Sequence, residues 1–386
     1  VSGKLRHLLL ATLEDPSDPQ SWSGTPLHMR MALEAKVEKL SVLAHLRPKR
    51  TLVTVALRAL LGGRPPRYPL YLTAPAQREF ARRTEEAIDA YKPDAMLTIS
   101  SHSMVRMGRP RVPAFMVTDA PWLAWKETYR EFDRMPLLGP RFGRLEAAAS
   151  ERYTGLIFSS DWAVEEAQRL YAAPRDKLHS IPLGAIWTPA MSAHELHAII
   201  DARPSDRLDL LFVGKDWERK GGPQALKIAR ELRAAGTPGV TLHIVGCSPE
   251  IPPDDREFVR LHGFLDMRVA EESKRLEGLF LTSHFLLVPT RAECFGVVFA
   301  EAQAFGLPPV SCAVQALPSI VLDGVTGILE PPDAPAATYA RRLTALIGDK
   351  ERYRAMARAA RARFERQLTW DRFASRVVET IERALP

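Results

Sequence analysis

The strongest constraint on this chain is a rhythm of short apolar runs, each stopped by a loop and followed by a segment of helical length. Leu5–Thr12, Ala95–Ile99 (AMLTI), Pro113–Val117 (PAFMV) and Leu156–Ser159 carry it in the first half. Leu210–Val213, Thr241–Val245, Leu261–Leu265, Phe285–Val288 and Pro309–Cys312 repeat it in the second. Runs of this kind read as buried strands, and strands alternating with helices make parallel sheets. Because the alternation occurs twice, it predicts an α/β protein of two doubly wound domains facing a central cleft. A chain of 386 residues is long enough for both. Helices are expected over His28–Glu38, Gln77–Tyr91, Pro223–Ala235, Val269–Leu281, Ala334–Phe364 and Trp370–Leu385. The loose segment Ala185–Arg207, with Pro189 and Pro204, reads as the connection between domains.

One strand–loop–helix unit stands out, FLLVPTRAECFGVVFAEAQAFGLP over Phe285–Pro308. Pro289 ends the strand, Gly296 opens the helix and Gly306 closes it. The N–H groups of Phe295, Gly296 and Val297 at that junction favour an anion or sugar oxygens. Eight residues beyond Glu293 comes Glu301, the only charged group of a small-residue, apolar helix. A carboxylate there is costly unless polar hydrogens meet it, as the vicinal hydroxyls of a ribose would. A glutamate that simply faces water has the same local pattern.

This stretch resembles the Glu-x7-Glu signature of retaining glycosyltransferases of family four, which have the two-domain fold called GT-B. The run GLIFSSDWAVEEAQRLYAAPRDKLHSIPLGA is also similar to that family's crossing between domains. The resemblance implies that Glu293 and the following amides hold the donor sugar and that Glu301 holds the nucleotide ribose. Where the family has Gly, this chain has Cys294. The family grips the diphosphate with an Arg after a strand-ending Gly and a Lys before the next Gly. Here Gly214 is followed by Lys215 in the Arg position, and Lys220 matches the Lys. Gly246, Gly263 and Phe264 lie where the family seats the nucleobase. The first loop keeps one glycine, Gly24, for the donor phosphate or the acceptor. His102 and Asp119 end two strands of the first half, where open sheets collect ligands. Asp119 is the best match to the family's sugar-contacting His. The implied domains are 1–184 on the acceptor side, 185–365 for the nucleotide sugar, and a helix 366–386 crossing back.

The implied activity is metal-independent, retaining transfer of a hexosyl group to an acceptor hydroxyl. The donor is a substrate (a UDP-, GDP- or ADP-sugar), and no cofactor is expected. Candidate acceptors are a glycan, a lipid-linked sugar or a small molecule. No Asp-x-Asp pair or His/Cys cluster suggests a metal; His194 and His197 are spaced His-Glu-Leu-His, which is not the zinc pattern and reads as a solvated helix face. Cys247, Cys294 and Cys312 give no disulfide framework, and Val1–Thr12 is too short for a secretory signal, which points to the cytoplasm.

The net charge of +7 calls for an anionic partner. From Lys39 to Arg78 there are basic side chains, among them Arg47, Lys49, Arg50, Arg58, Arg64 and Arg67, and no acids. With the apolar run Thr51–Leu61 this is the pattern of a segment lying on the inner face of a membrane; a buried helix with solvated flanks has the same pattern. Two rival readings remain: a GT-B epimerase or phosphorylase, and a basic protein binding nucleic acid or an anionic surface. The second lacks aromatics interleaved with its basic residues, so nucleic acid is not an expected partner.

Overall fold

A computed structural model of the chain describes residues 3–44, 73–102, 104–129 and 138–385. The apolar runs form two sheets of six strands, parallel throughout. The first contains β1 (His7–Ala11), β2 (Lys39–Leu43), β3 (Ala95–Ile99), β4 (Ala114–Thr118), β5 (Gly155–Phe158) and β6 (Leu178–Ser180) in the order 2-1-3-4-5-6. The second contains β7 (Leu208–Val213), β8 (Val240–Val245), β9 (Val259–Gly263), β10 (Phe285–Leu287), β11 (Pro309–Cys312) and β12 (Ile328–Glu330) in the order 12-11-10-7-8-9. β3, β4, β5, β10 and β11 are buried at every residue, as expected of parallel strands covered on both faces. The fold is GT-B, built from two doubly wound α/β units.

Val1–Ile181 together with Trp370–Pro386 make the first unit, and Pro182–Thr369 the second. The helix Trp370–Glu382 buries Phe373, Val377 and Ile381 in the first unit. Glu382 accepts from Leu5 N–H at 3.0 Å, Arg376 donates to the Ser180 carbonyl at 2.7 Å, and Asp371 pairs with Lys36 at 2.5 Å.

Several expectations need correcting. The first helix is Thr25–Glu34, because Lys39–Leu43 leaves as an edge strand beside β1. Ala185–Arg207 contains a helix, Ala193–Ala202, opened by a capping box in which Ser192 and Glu195 satisfy each other's backbone N–H. Ala334–Phe364 is two helices, Ala336–Ile347 and Lys350–Gln367; Gly348 ends one and the Asp349 side chain caps the next by accepting from Arg352 N–H. Of the basic stretch, Lys39–Leu43 and Arg78 fall in regular structure, while 45–72, with Thr51–Leu61 and the six basic residues named above, lies outside the described residues. Among the described residues no helix is long and apolar enough to cross a membrane.

Candidate active site

In the second sheet the strand order reverses between β7 and β10, and such a reversal opens a crevice at the carboxyl ends of the two strands. The loops that follow these strands are held together there. Gly221 has φ of +76°, and a Cβ on it would lie 1.9 Å from the Pro289 carbonyl oxygen, so only glycine permits the approach. The Arg219 carbonyl accepts from Arg291 N–H at 2.9 Å and from the Thr290 hydroxyl at 3.2 Å.

The consequence is a buried ion pair. Lys220 Nζ donates to Glu293 Oε1, and Arg219 Nη1 lies 3.6 Å from the same oxygen while donating to the Ala292 carbonyl at 2.9 Å. Glu293 is 3% exposed. Its backbone N–H donates to Gln315 Oε1 at 2.6 Å, and Gln315 is held at φ +45°, a left-handed conformation costly for a residue with a side chain. Gly296 caps the helix Val297–Ala304 at φ +87°; a Cβ there would lie 2.9 Å from Glu293 Cγ. Its absence lets the carboxylate fold across the helix entrance. The N–H groups of Phe295, Gly296 and Val297 donate to no group among the described residues, so the positive end of the helix stays available beside Glu293.

Glu301 lies about one turn into this helix and is half-buried. Burial pushes its carboxyl up to about 7, against the Trp187 N–H bonded to it and the nearby Lys220 charge, which both favour ionisation. The Trp187 ring is anchored on Phe305 and Phe280, with centroids at 4.6 and 5.3 Å. Lys220 is therefore shared between two carboxylates: one it touches and one it biases at longer range.

The remaining residues singled out in this half sit around the same sheet end. Lys215 is exposed, with its ammonium 5.0 Å from the centre of the Phe264 ring rather than at Glu293. Gly246, at φ +95°, abuts the neighbouring loop: a Cβ would lie 2.8 Å from the Gly214 oxygen. Its N–H donates to the Gly263 carbonyl at 2.8 Å, and Gly263 is also left-handed, at φ +69°. Among the described residues no group of three or more His, Cys, Asp or Glu could hold a metal.

The first sheet reverses between β1 and β3, and a cavity of about 330 Å³ opens at that point. His102 and Asp119, both buried, line it. His102 Nδ1 is 2.5 Å from Ser100 Oγ, and its ring stacks on Phe142 at 5.0 Å. Backbone strain gathers at the rim: Trp22, Ser23 and Ser100 have φ of +40°, +55° and +65°, and Gly24 +88°. Clustered left-handed residues with side chains point to a functional constraint. Glu146, buried beneath, accepts from Ser101 Oγ at 2.6 Å, from Trp122 N–H at 2.8 Å and from the Tyr171 hydroxyl. Burial raises its carboxyl above the ordinary range, against these three donors.

The structure thus gathers Lys220, Glu293, Phe295–Val297 and Glu301 in the second unit, and Gly24, His102 and Asp119 around the first. Sequence reasoning missed Arg219, Gln315, Trp187 and Glu146. Arg219 could have been found as the neighbour of Lys220 before the Gly pair. The other three reach their partners from distant segments and leave no local signal.

Residues 196–363 match the family described as glycosyl transferases group 1. Over this stretch the second unit is similar to the group 1 glycosyl transferases. A D-inositol 3-phosphate glycosyltransferase of Xylanimonas cellulosilytica is 30% identical over 246 residues, 59% of this chain and 57% of that protein. The chain spans little more than half the length of the curated relatives it matches. Two solved structures share the fold over nearly the whole chain. Sucrose-phosphate synthase from Thermosynechococcus elongatus has a TM-score of 0.66 at 18% identity, covering 97% of this chain and 98% of its own. HepE from Anabaena, solved in complex with UDP, has a TM-score of 0.61 at 15% identity, covering 97% and 99%.

Proposed function

We propose that the chain moves a hexosyl group from a nucleoside-diphosphate sugar to an acceptor hydroxyl, with retention at the anomeric carbon and without a metal. The observation that carries this reading is the pair Glu293 and Glu301, bracketing a helix entrance at the β7–β10 reversal with Lys220 between them. Glu293 and the Phe295–Val297 amides would take the sugar hydroxyls and Glu301 the ribose. Lys220, Arg219 and the helix entrance would face the diphosphate. As the bond from the anomeric carbon to the phosphate oxygen breaks, negative charge grows on the departing diphosphate, and fixed positive groups stabilise it more in the transition state than before. The acceptor oxygen attacks from the same face, and its proton passes to the departing phosphate oxygen. HepE was solved with UDP, which supports a uridine donor for this chain; GDP- and ADP-sugars are the alternatives. The first unit, with His102 and Asp119, would present the acceptor.

The test is a transfer assay with UDP-, GDP- and ADP-hexoses in excess chelator, the product's anomeric configuration being read by NMR. Retained configuration at an undiminished rate is expected. An inverted product overturns the retaining assignment, and activity abolished by chelator overturns metal independence. Conversion of donor with no acceptor added would make the chain an epimerase.

A further inference from the structure

We propose that Gln315 is a positioning residue of the second unit's site: its side-chain oxygen pins the Glu293 peptide, and its strained backbone is kept for that contact. The inference rests on the transferase reading for what Glu293 does once it is placed, and not for the placement itself.

Gln315 is the second residue of a turn that the Leu317 N–H closes onto the Val314 carbonyl at 3.0 Å. Its φ of +45° is a left-handed conformation that Gly or Asn holds at less cost. Its neighbours pack the turn: Val314, Ala316 and Leu317 are buried, and a short helix, Leu317–Ile320, follows at once. For the backbone alone, glycine would serve better at 315. What glycine lacks is an acceptor. Gln315 Oε1 accepts from Glu293 N–H at 2.6 Å, and Ala316 donates its own N–H to the Glu293 carbonyl at 3.4 Å. Two consecutive residues of a distant turn thus hold both backbone polar groups of Glu293.

The contact matters because of where Glu293 sits. Before it, Arg219 fixes the loop, its carbonyl accepting from Arg291 N–H and its guanidinium donating to the Ala292 carbonyl. After it, Gly296 opens the helix at φ +87°. Between these two anchors Gln315 sets the rotation of the Glu293 peptide, and with it the direction in which the carboxylate leaves the backbone toward Lys220. A displacement of about 1 Å at a group that holds a reacting sugar can cost on the order of 10²-fold in rate. A strained residue with a side chain, kept at such a point, is what a functional constraint leaves behind.

The experiment compares Gln315→Gly, which relieves the backbone and removes the acceptor, with Gln315→Glu, which keeps an acceptor of the same reach. Turnover of the full chain is read as nucleotide release from UDP-, GDP- and ADP-hexoses, with methyl hexosides and inositol as acceptors. Urea unfolding, affinity for UDP, GDP and ADP, and hydrogen exchange at the Glu293 amide are measured on the same samples. Gln315→Gly should unfold at the same or a higher urea concentration than wild type. It should nevertheless exchange the Glu293 amide at least ten-fold faster and turn over at least ten-fold more slowly. Nucleotide affinity should stay within three-fold, so that the loss falls on kcat. Gln315→Glu should restore slow exchange and at least a third of the turnover. A side chain that only supports the fold would lower stability and turnover together, and that outcome overturns the inference. Unchanged exchange or wild-type turnover in Gln315→Gly overturns it as well. No nucleotide release by wild type from any donor sinks the transferase alone, and exchange with urea unfolding then decides the role of Gln315.

Discussion

In the second unit, the crevice at the sheet's reversal is entered by glycines and cations. Gly221 and Gly296 let two loops and a helix end close around Glu293, and Lys220 and Arg219 supply the charge. In the first unit the equivalent crevice is lined by indoles and carboxylates, and its backbone strain falls on residues with side chains. The two units share a topological site and differ in what they offer it. One offers cations and helix-end amides, and the other offers indoles and carboxylates. A single fold rule therefore says where a ligand sits, while the residues at the loop ends say what kind of ligand it is.

That contrast can be broken most sharply at Lys220. Lys220→Ala should lower turnover by about 10²-fold or more through the loss of a transition-state donor. It should also destabilise the protein by about 2 kcal/mol, because buried Glu293 loses the cation it is hydrogen-bonded to and keeps only Arg219, 3.6 Å away. Chemical denaturation of a Lys220→Met, Glu293→Gln double variant should recover most of that stability while turnover stays low. Wild-type turnover in Lys220→Ala would remove the cation from the mechanism.

The next largest effect is expected at Gly221. Gly221→Ala drives a methyl into the Pro289 carbonyl and should cost about 3 kcal/mol in urea unfolding. Gly236→Ala, also left-handed at φ +78° but with nothing within 4 Å, should cost only about 1 kcal/mol. Equal costs would show that conformation rather than loop approach makes glycine necessary at 221.

In the first unit, Glu146→Gln replaces an acceptor of three hydrogen bonds by a group that must turn an N–H₂ toward at least one donor. A loss of about 2 kcal/mol is expected. Steady-state kinetics should show a raised KM for acceptor with the donor KM unchanged. A raised donor KM would mean that the two crevices are not separate in function.

The smallest effect is a pH dependence. The Glu301 carboxyl, pushed up to about 7, is neutral below that value and charged above it. Nucleotide affinity should therefore rise several-fold from pH 6 to pH 8, as the stronger acceptor forms. Stability should move the opposite way, because the folded chain holds this proton more tightly than the unfolded one and loses that advantage as pH rises through 7. Glu301→Gln should flatten both profiles; an unchanged affinity profile would assign the titration to another group.

The fold class was legible because strands buried on both faces leave short uninterrupted apolar runs. β2 was not, since KLSVL is a partly exposed edge strand with no such run. The break between the helices ending at Ile347 and starting at Lys350 was hidden because Arg- and Ala-rich sequence favours helix on both sides, and only the Asp349 cap marks it. Around the site, Glu293, Glu301 and Lys220 could be singled out because their local sequence resembles a family signature; spacing alone fits solvated side chains equally well. Gln315 and Trp187 could not, because each reaches its glutamate across the tertiary fold, Gln315 by accepting from the Glu293 backbone N–H and Trp187 by donating its own backbone N–H to the Glu301 carboxylate.

The helix Trp370–Glu382 belongs to the first unit although the whole of the second precedes it in the chain. On the ribosome, Pro182–Thr369 can therefore finish folding while the earlier-made sheet still waits for its last piece. Partial proteolysis after Thr369 should release a chain whose second half stays protected while the first opens, so the crevice with the indole walls is the one whose integrity depends on late synthesis.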